Sequence, residues 1–74
     1  MLGKKILPGL LALYVILGSW QGYLAIYDRG AAEPKQIFPK EIASLPEQDQ
    51  RDLIEGIIVR NDRDLQRKLE ELLS

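Results

Sequence analysis

From Ile6 to Trp20 the chain reads ILPGLLALYVILGSW, fifteen residues without a charge, directly after Lys4 and Lys5. From Asp28 onward a charge falls every few positions. Placing Asp, Lys or Arg at a bilayer centre costs roughly 2.5–3.5 kcal/mol each even on lenient insertion scales. A run that avoids all of them, beside a run dense in them, predicts a membrane-directed N-terminus joined to a small polar domain. As a helix, Ile6 to Trp20 would be about 22 Å long, and an extension to Tyr27 about 33 Å, against a hydrocarbon core of ~30 Å. The short version suits a signal-peptide core or a minimal span, the long version a full span.

A cleaved signal needs small residues at the −3 and −1 positions. Around Gly18, Ser19 and Gly22 no such pair occurs, since Ile16 or Trp20 falls at the larger position. With no Cys, lipid attachment to a thiol is excluded. The pattern therefore favours a retained signal-anchor over 1–21. Trp20 and Tyr23 would sit in an interfacial aromatic belt, and Lys4 and Lys5 would snorkel at the other end. Pro8 fits a first helical turn. Gly18 and Gly22 have the spacing of a helix-packing face, though glycines are common near the ends of spans. The Lys pair orients a single-pass protein with its N-terminus cytoplasmic and residues 22–74 extracytoplasmic.

The remainder reads as strand, strand, helix, strand, helix. Tyr23 to Tyr27 alternates with the period of a strand, Leu24 and Ile26 on one face and the tyrosines on the other. The same five residues could instead end the membrane helix. Asp28-Arg29-Gly30 is turn chemistry. Gln36-Ile37-Phe38 is β-prone, and Pro39 ends it or confines it to an edge. Ser44-Leu45-Pro46-Glu47 has the form of a capping box, opening a helix that Gly56 stops. Ile57-Ile58-Val59 is a β-branched run of the kind found in buried strands. Asn61 caps a last helix carrying Leu65, Leu69, Leu72 and Leu73 as one stripe. The fold class is α+β, an N-terminal membrane helix followed by a small β-β-α-β-α domain. Its expected core is Leu24, Ile26, Phe38, Ile42, Leu45, Leu53, Ile54, Ile57, Val59, Leu65, Leu69 and Leu72.

Composition then narrows the chemistry. There is no His and no Cys among the 74 residues. The common zinc, copper, iron–sulfur and haem ligand sets are thus excluded, as are Ser-His-Asp and Cys-His nucleophiles. No phosphate-binding glycine loop occurs. The expectation is no cofactor, no metal and no catalytic residue. Paired acids such as Asp62 with Asp64 or Glu70 with Glu71 read as solvated helix faces. From Asp28 onward eleven acidic residues stand against eight basic ones, a balance of −3. That argues against nucleic acid, whose binders present basic faces, and against attraction to anionic lipid.

The stretch from Gly22 to Ser74 resembles the C-terminal domain of the bypass-of-forespore C family of sporulating Gram-positive bacteria. The residues that carry it are Gly22-Tyr23-Leu24-Ala25-Ile26-Tyr27-Asp28, Leu45-Pro46-Glu47-Gln48-Asp49, Leu53-Ile54-Glu55-Gly56-Ile57-Ile58-Val59 and Leu65-Gln66-Arg67-Lys68-Leu69-Glu70. The chain departs in lacking the namesake's separate N-terminal domain, in Arg-Gly-Ala-Ala after Asp28, and in Ile58 where a Pro is common. The resemblance implies an extracytoplasmic regulatory module, which in the namesake restrains a signalling protease. The leading expectation is thus a non-enzymatic, membrane-tethered domain that binds another membrane or extracytoplasmic protein. Tyr23, Tyr27, Asp28 and Arg29 are its candidate contact residues, because exposed aromatics dominate binding hot spots. The alternative is a small structural or regulatory subunit of a membrane complex, acting through its transmembrane helix.

Overall fold

The computed structural model describes residues 14–74, so the expected membrane helix lies partly outside the described residues. Its second half is inside, and it is not a helix. Val15–Trp20 is a strand, β1. Tyr23–Asp28 (β2), Gln36–Glu41 (β3) and Ile57–Val59 (β4) complete a four-stranded sheet in the order β3-β2-β1-β4. Every pairing is antiparallel. Glu47–Glu55 (α1) and Asp62–Leu73 (α2) are the helices, with a short 3-10 turn over Ile42–Ser44. Among the described residues the folded unit is therefore β-β-β-α-β-α, and β1, which precedes residue 22, is part of it. Among the described residues no helix is long and apolar enough to cross a membrane.

The turn that makes β1 is local. Trp20 pairs with Tyr23, so Gln21 and Gly22 form a two-residue hairpin loop. Both have positive φ, 51° and 89°, as a type I′ turn requires to match the twist of the strands it joins. Tyr23 to Tyr27 is thereby strand, and the membrane-helix alternative for these residues falls away.

Register then sorts the side chains. Leu17 lies opposite Ile26 and Ile57, Ser19 opposite Leu24, and Val15 opposite Val59. This row forms one face. Ile16, Gly18, Ala25, Tyr27 and Ile58 form the other. Leu17, Leu24 and Ile26 are buried on the first face, and Gly18 and Ala25 on the second, so the middle of the sheet is closed on both sides. Helix α1 covers the glycine face, for a Cβ built on Gly18 would stand 3.6 Å from the Leu53 carbonyl oxygen. Leu53 of α1 and Leu65, Leu69 and Leu72 of α2 belong to one core cluster with Leu17, Leu24 and Ile26.

Most of the expected core holds. Leu24, Ile26, Ile42, Leu45, Leu53, Val59 and Leu72 are buried, and Phe38, Ile57, Leu65 and Leu69 pack against them. Ile54 does not belong, being 74% exposed on the outer side of α1. Leu17 and Ala25, fully buried, were not anticipated.

Two element ends also differ. The capping box does not form: the Ser44 hydroxyl donates to the Glu41 carbonyl at 2.7 Å, and α1 starts after Pro46 with no side-chain cap. Glu47 and Asp49 still complement its positive end,. Strand β3 does not stop at Pro39. It runs to Glu41 as an edge strand, with a bulge where two steps on β2 (Ala25 to Tyr23) are matched by four on β3 (Ile37 to Glu41). Edges and bulges are where proline is tolerated in a sheet. Asn61 caps α2 as expected, its side chain accepting from the Asp64 N–H at 2.8 Å. Gly56 ends α1 with φ +94°, a backbone conformation that calls for glycine, and a Cβ there would sit a tight 3.1 Å from an Ile16 methyl,.

Candidate functional site

The four expected contact residues end up in different circumstances. Tyr23 and Tyr27 do share a face, but β2 is an inner strand between β3 and β1. Tyr27 is half-buried and committed. Its ring packs 3.4 Å from the Cβ position of Gly18, and its hydroxyl donates to the Ser19 carbonyl at 2.6 Å. An aromatic ring laid over a strand glycine restores the packing that glycine lacks. Tyr23 is 40% exposed and lines a shallow apolar surface with Ile37, Phe38 and Pro39. Asp28 pairs with Lys35 at 3.0 Å. Arg29 sits in the turn that Gly30 (φ +76°) permits, where the Ala31 N–H donates to the Asp28 carbonyl at 3.0 Å. Gly18 and Gly22, whose spacing is also that of a helix-packing face, lie instead beneath Tyr27 and in the hairpin loop. A transmembrane helix packing through them has no place in this fold.

Sequence reasoning missed a different surface. The sheet has two outer edges, and they are built differently. Strand β3 carries Pro39, a bulge, and Lys40 and Glu41 at its end. Proline, charge and bulging are the devices that blunt an edge against pairing. Strand β4 carries Ile57, Ile58 and Val59 and none of those devices, and its outer edge has no strand partner among the described residues. Ile58 is 52% exposed there. Alongside runs an open groove of about 530 Å³, walled by β4 and by Asp64, Arg67, Lys68 and Glu71 of α2. Four of the wall charges are paired, Arg67 with Asp64 at 2.6 Å and Lys68 with Glu71 at 3.6 Å, while Arg60, which also lines the groove, forms no ion pair among the described residues. The groove thus offers an edge strand without a strand partner, the exposed side chain of Ile58 and a balance of one positive charge. The β-branched triplet was legible in the sequence; that it forms an edge was not.

At the end of the sheet where β1 begins, Tyr14 lies between two guanidinium groups. Arg29 is 5.9 Å and Arg60 5.5 Å from the ring centroid, within cation–π range.

No protein-family model matches the chain, and no curated protein and no solved structure matches it.

Proposed function

We propose that this chain is a non-enzymatic protein-binding module, held at a membrane by its N-terminal segment, which takes an extended segment of a partner protein along the outer edge of β4. The contrast between the two edges carries the reading. A sheet that guards one edge and leaves β-branched residues open on the other is arranged for strand addition, in which backbone hydrogen bonds supply affinity and alternate side chains supply specificity. The lining charges balance except for Arg60, which favours a neutral or acidic segment over a basic one.

The tether rests on the uncharged run after Lys4 and Lys5. With Val15–Trp20 in β1, the uncharged residues that precede the described ones are Ile6–Leu13, eight residues that follow Lys4 and Lys5. As a helix they would measure about 12 Å, short of the ~30 Å core, and end-on insertion would carry both lysines toward its centre, so they suit the membrane interface rather than a crossing. The extracytoplasmic side, and a regulatory partner such as a signalling protease, follow from the resemblance to the bypass-of-forespore C domain.

A photo-crosslinker at residue 58 of the full chain in native membranes tests the edge, with a second at residue 37 on the guarded side for comparison. An adduct from 58 and none from 37 is the expected result. Adducts from 37 alone would move the binding surface to the Tyr23 patch. An adduct of twice the chain mass would make the partner a second copy.

A further inference from the structure

We propose that the end of the sheet bearing Tyr14, Arg29 and Arg60 is a binding site for anionic phospholipid headgroups. The proposal rests on the membrane tether proposed above and says how the domain sits on the surface the tether reaches. Three separate elements bring the site together. Tyr14 precedes β1, Arg29 follows β2 and Arg60 follows β4. Because Val15 lies opposite both Asp28 and Val59, the three residues occupy one row across the same sheet end.

The two arginines are available for a ligand. Both are exposed. Among the described residues neither forms an ion pair, whereas Lys35, Arg51, Arg67 and Lys68 each do. Residues 1–13 contain no Asp or Glu that could neutralise them. The neighbouring Asp28 is occupied by Lys35. Counting every charged residue from Asp28 to Lys35 and from Arg60 to Asp64, Arg29, Lys35, Arg60 and Arg63 stand against Asp28, Glu33, Asp62 and Asp64, a sum of zero. The stretch from Asp28 to Ser74 sums to −3, so the rest of it carries −3. An anionic surface repels the remainder more than this end, which orients the domain rather than merely holding it. The overall acidity that argued against anionic lipid is thus unevenly distributed.

The chain path supplies the occupant. The uncharged residues Ile6–Leu13 run directly into Tyr14, and β1 starts at the next residue, Val15. Wherever Ile6–Leu13 enters lipid, Tyr14 must lie at headgroup level, the depth at which tyrosine rings are enriched. The guanidinium groups beside it are then level with the phosphates, which arginine binds through its planar fork of donors.

The test uses the purified full chain and vesicles of phosphatidylcholine alone or mixed with phosphatidylglycerol, with binding read by co-sedimentation. The wild-type chain should prefer the anionic vesicles. The double variant Arg29→Gln, Arg60→Gln should lose about 30-fold in affinity for them, as expected for two arginines near such a surface. Its binding to neutral vesicles and its melting temperature should not change. A control pair distant from the site, Lys40→Gln with Arg51→Gln, should keep the preference. If the double variant melts early, Arg29→Gln alone carries the test at about 5-fold. Equal binding to both vesicles, or an equal loss in the control pair, overturns the headgroup site while leaving the tether standing. No binding to either vesicle overturns the tether as well. An anionic preference that survives in the double variant places the lipid contact elsewhere.

Discussion

Changing Leu17 to Ala separates a strand from a membrane helix at one position. Leu17 is fully buried in β1, opposite Ile26 and Ile57. Removing its side chain forfeits the transfer energy of the lost carbons and leaves a cavity between β2 and β4, for a cost of about 2–5 kcal/mol. A domain this size has only a few kcal/mol to lose. At ~4–8 °C per kcal/mol for a domain of this length, the melting temperature should fall by at least about 8 °C, or the transition should disappear. The assay is thermal and urea unfolding of residues 14–74 by circular dichroism. Ile54→Ala serves as the control: at 74% exposure it should shift stability by no more than about 0.5 kcal/mol,. In a membrane helix preceding an independent domain, Leu17 would contribute nothing to that transition. A Leu17→Ala melt within about 2 °C of the wild type, on the same scale, would refute the burial argument and with it the placement of β1.

Two further substitutions probe the local geometry. Gln21→Asn should stabilise the domain by about 0.5–1 kcal/mol, because Asn accepts the positive φ of a type I′ turn more readily than Gln; an unchanged urea midpoint would mean the hairpin is not strained there. Tyr27→Phe should cost about 1 kcal/mol by removing the hydroxyl that donates to the Ser19 carbonyl, and a melt equal to that of the wild type would show that water replaces the bond without penalty,.

Local chemistry determined much of this fold from the sequence alone. Alternation placed Leu24 and Ile26 inward and the two tyrosines on the opposite face. Asn61 marked the start of α2, Gly56 the end of α1, and the β-branched triplet a strand, because each depends on backbone conformation within a few residues. Val15–Trp20 was different. A strand covered on both faces reads as an unbroken apolar run, since neither side meets water. In composition that run cannot be told from part of a membrane helix. The Trp-Gln-Gly-Tyr sequence held a hint, with Gly at the second place of a two-residue loop. Only the tertiary structure decided the matter, because β1 is defined by partners on both sides, one adjacent in sequence and one some forty residues away. The sites follow the same division. The sequence could name Tyr23, Tyr27, Asp28 and Arg29 as candidates, but Tyr27 became packing, Asp28 an ion pair, and Arg29 one flank of Tyr14. Which edge of the sheet stays open, and which arginines gather beside Tyr14, are properties of strand order, and strand order is set by pairings across the chain that no local pattern records.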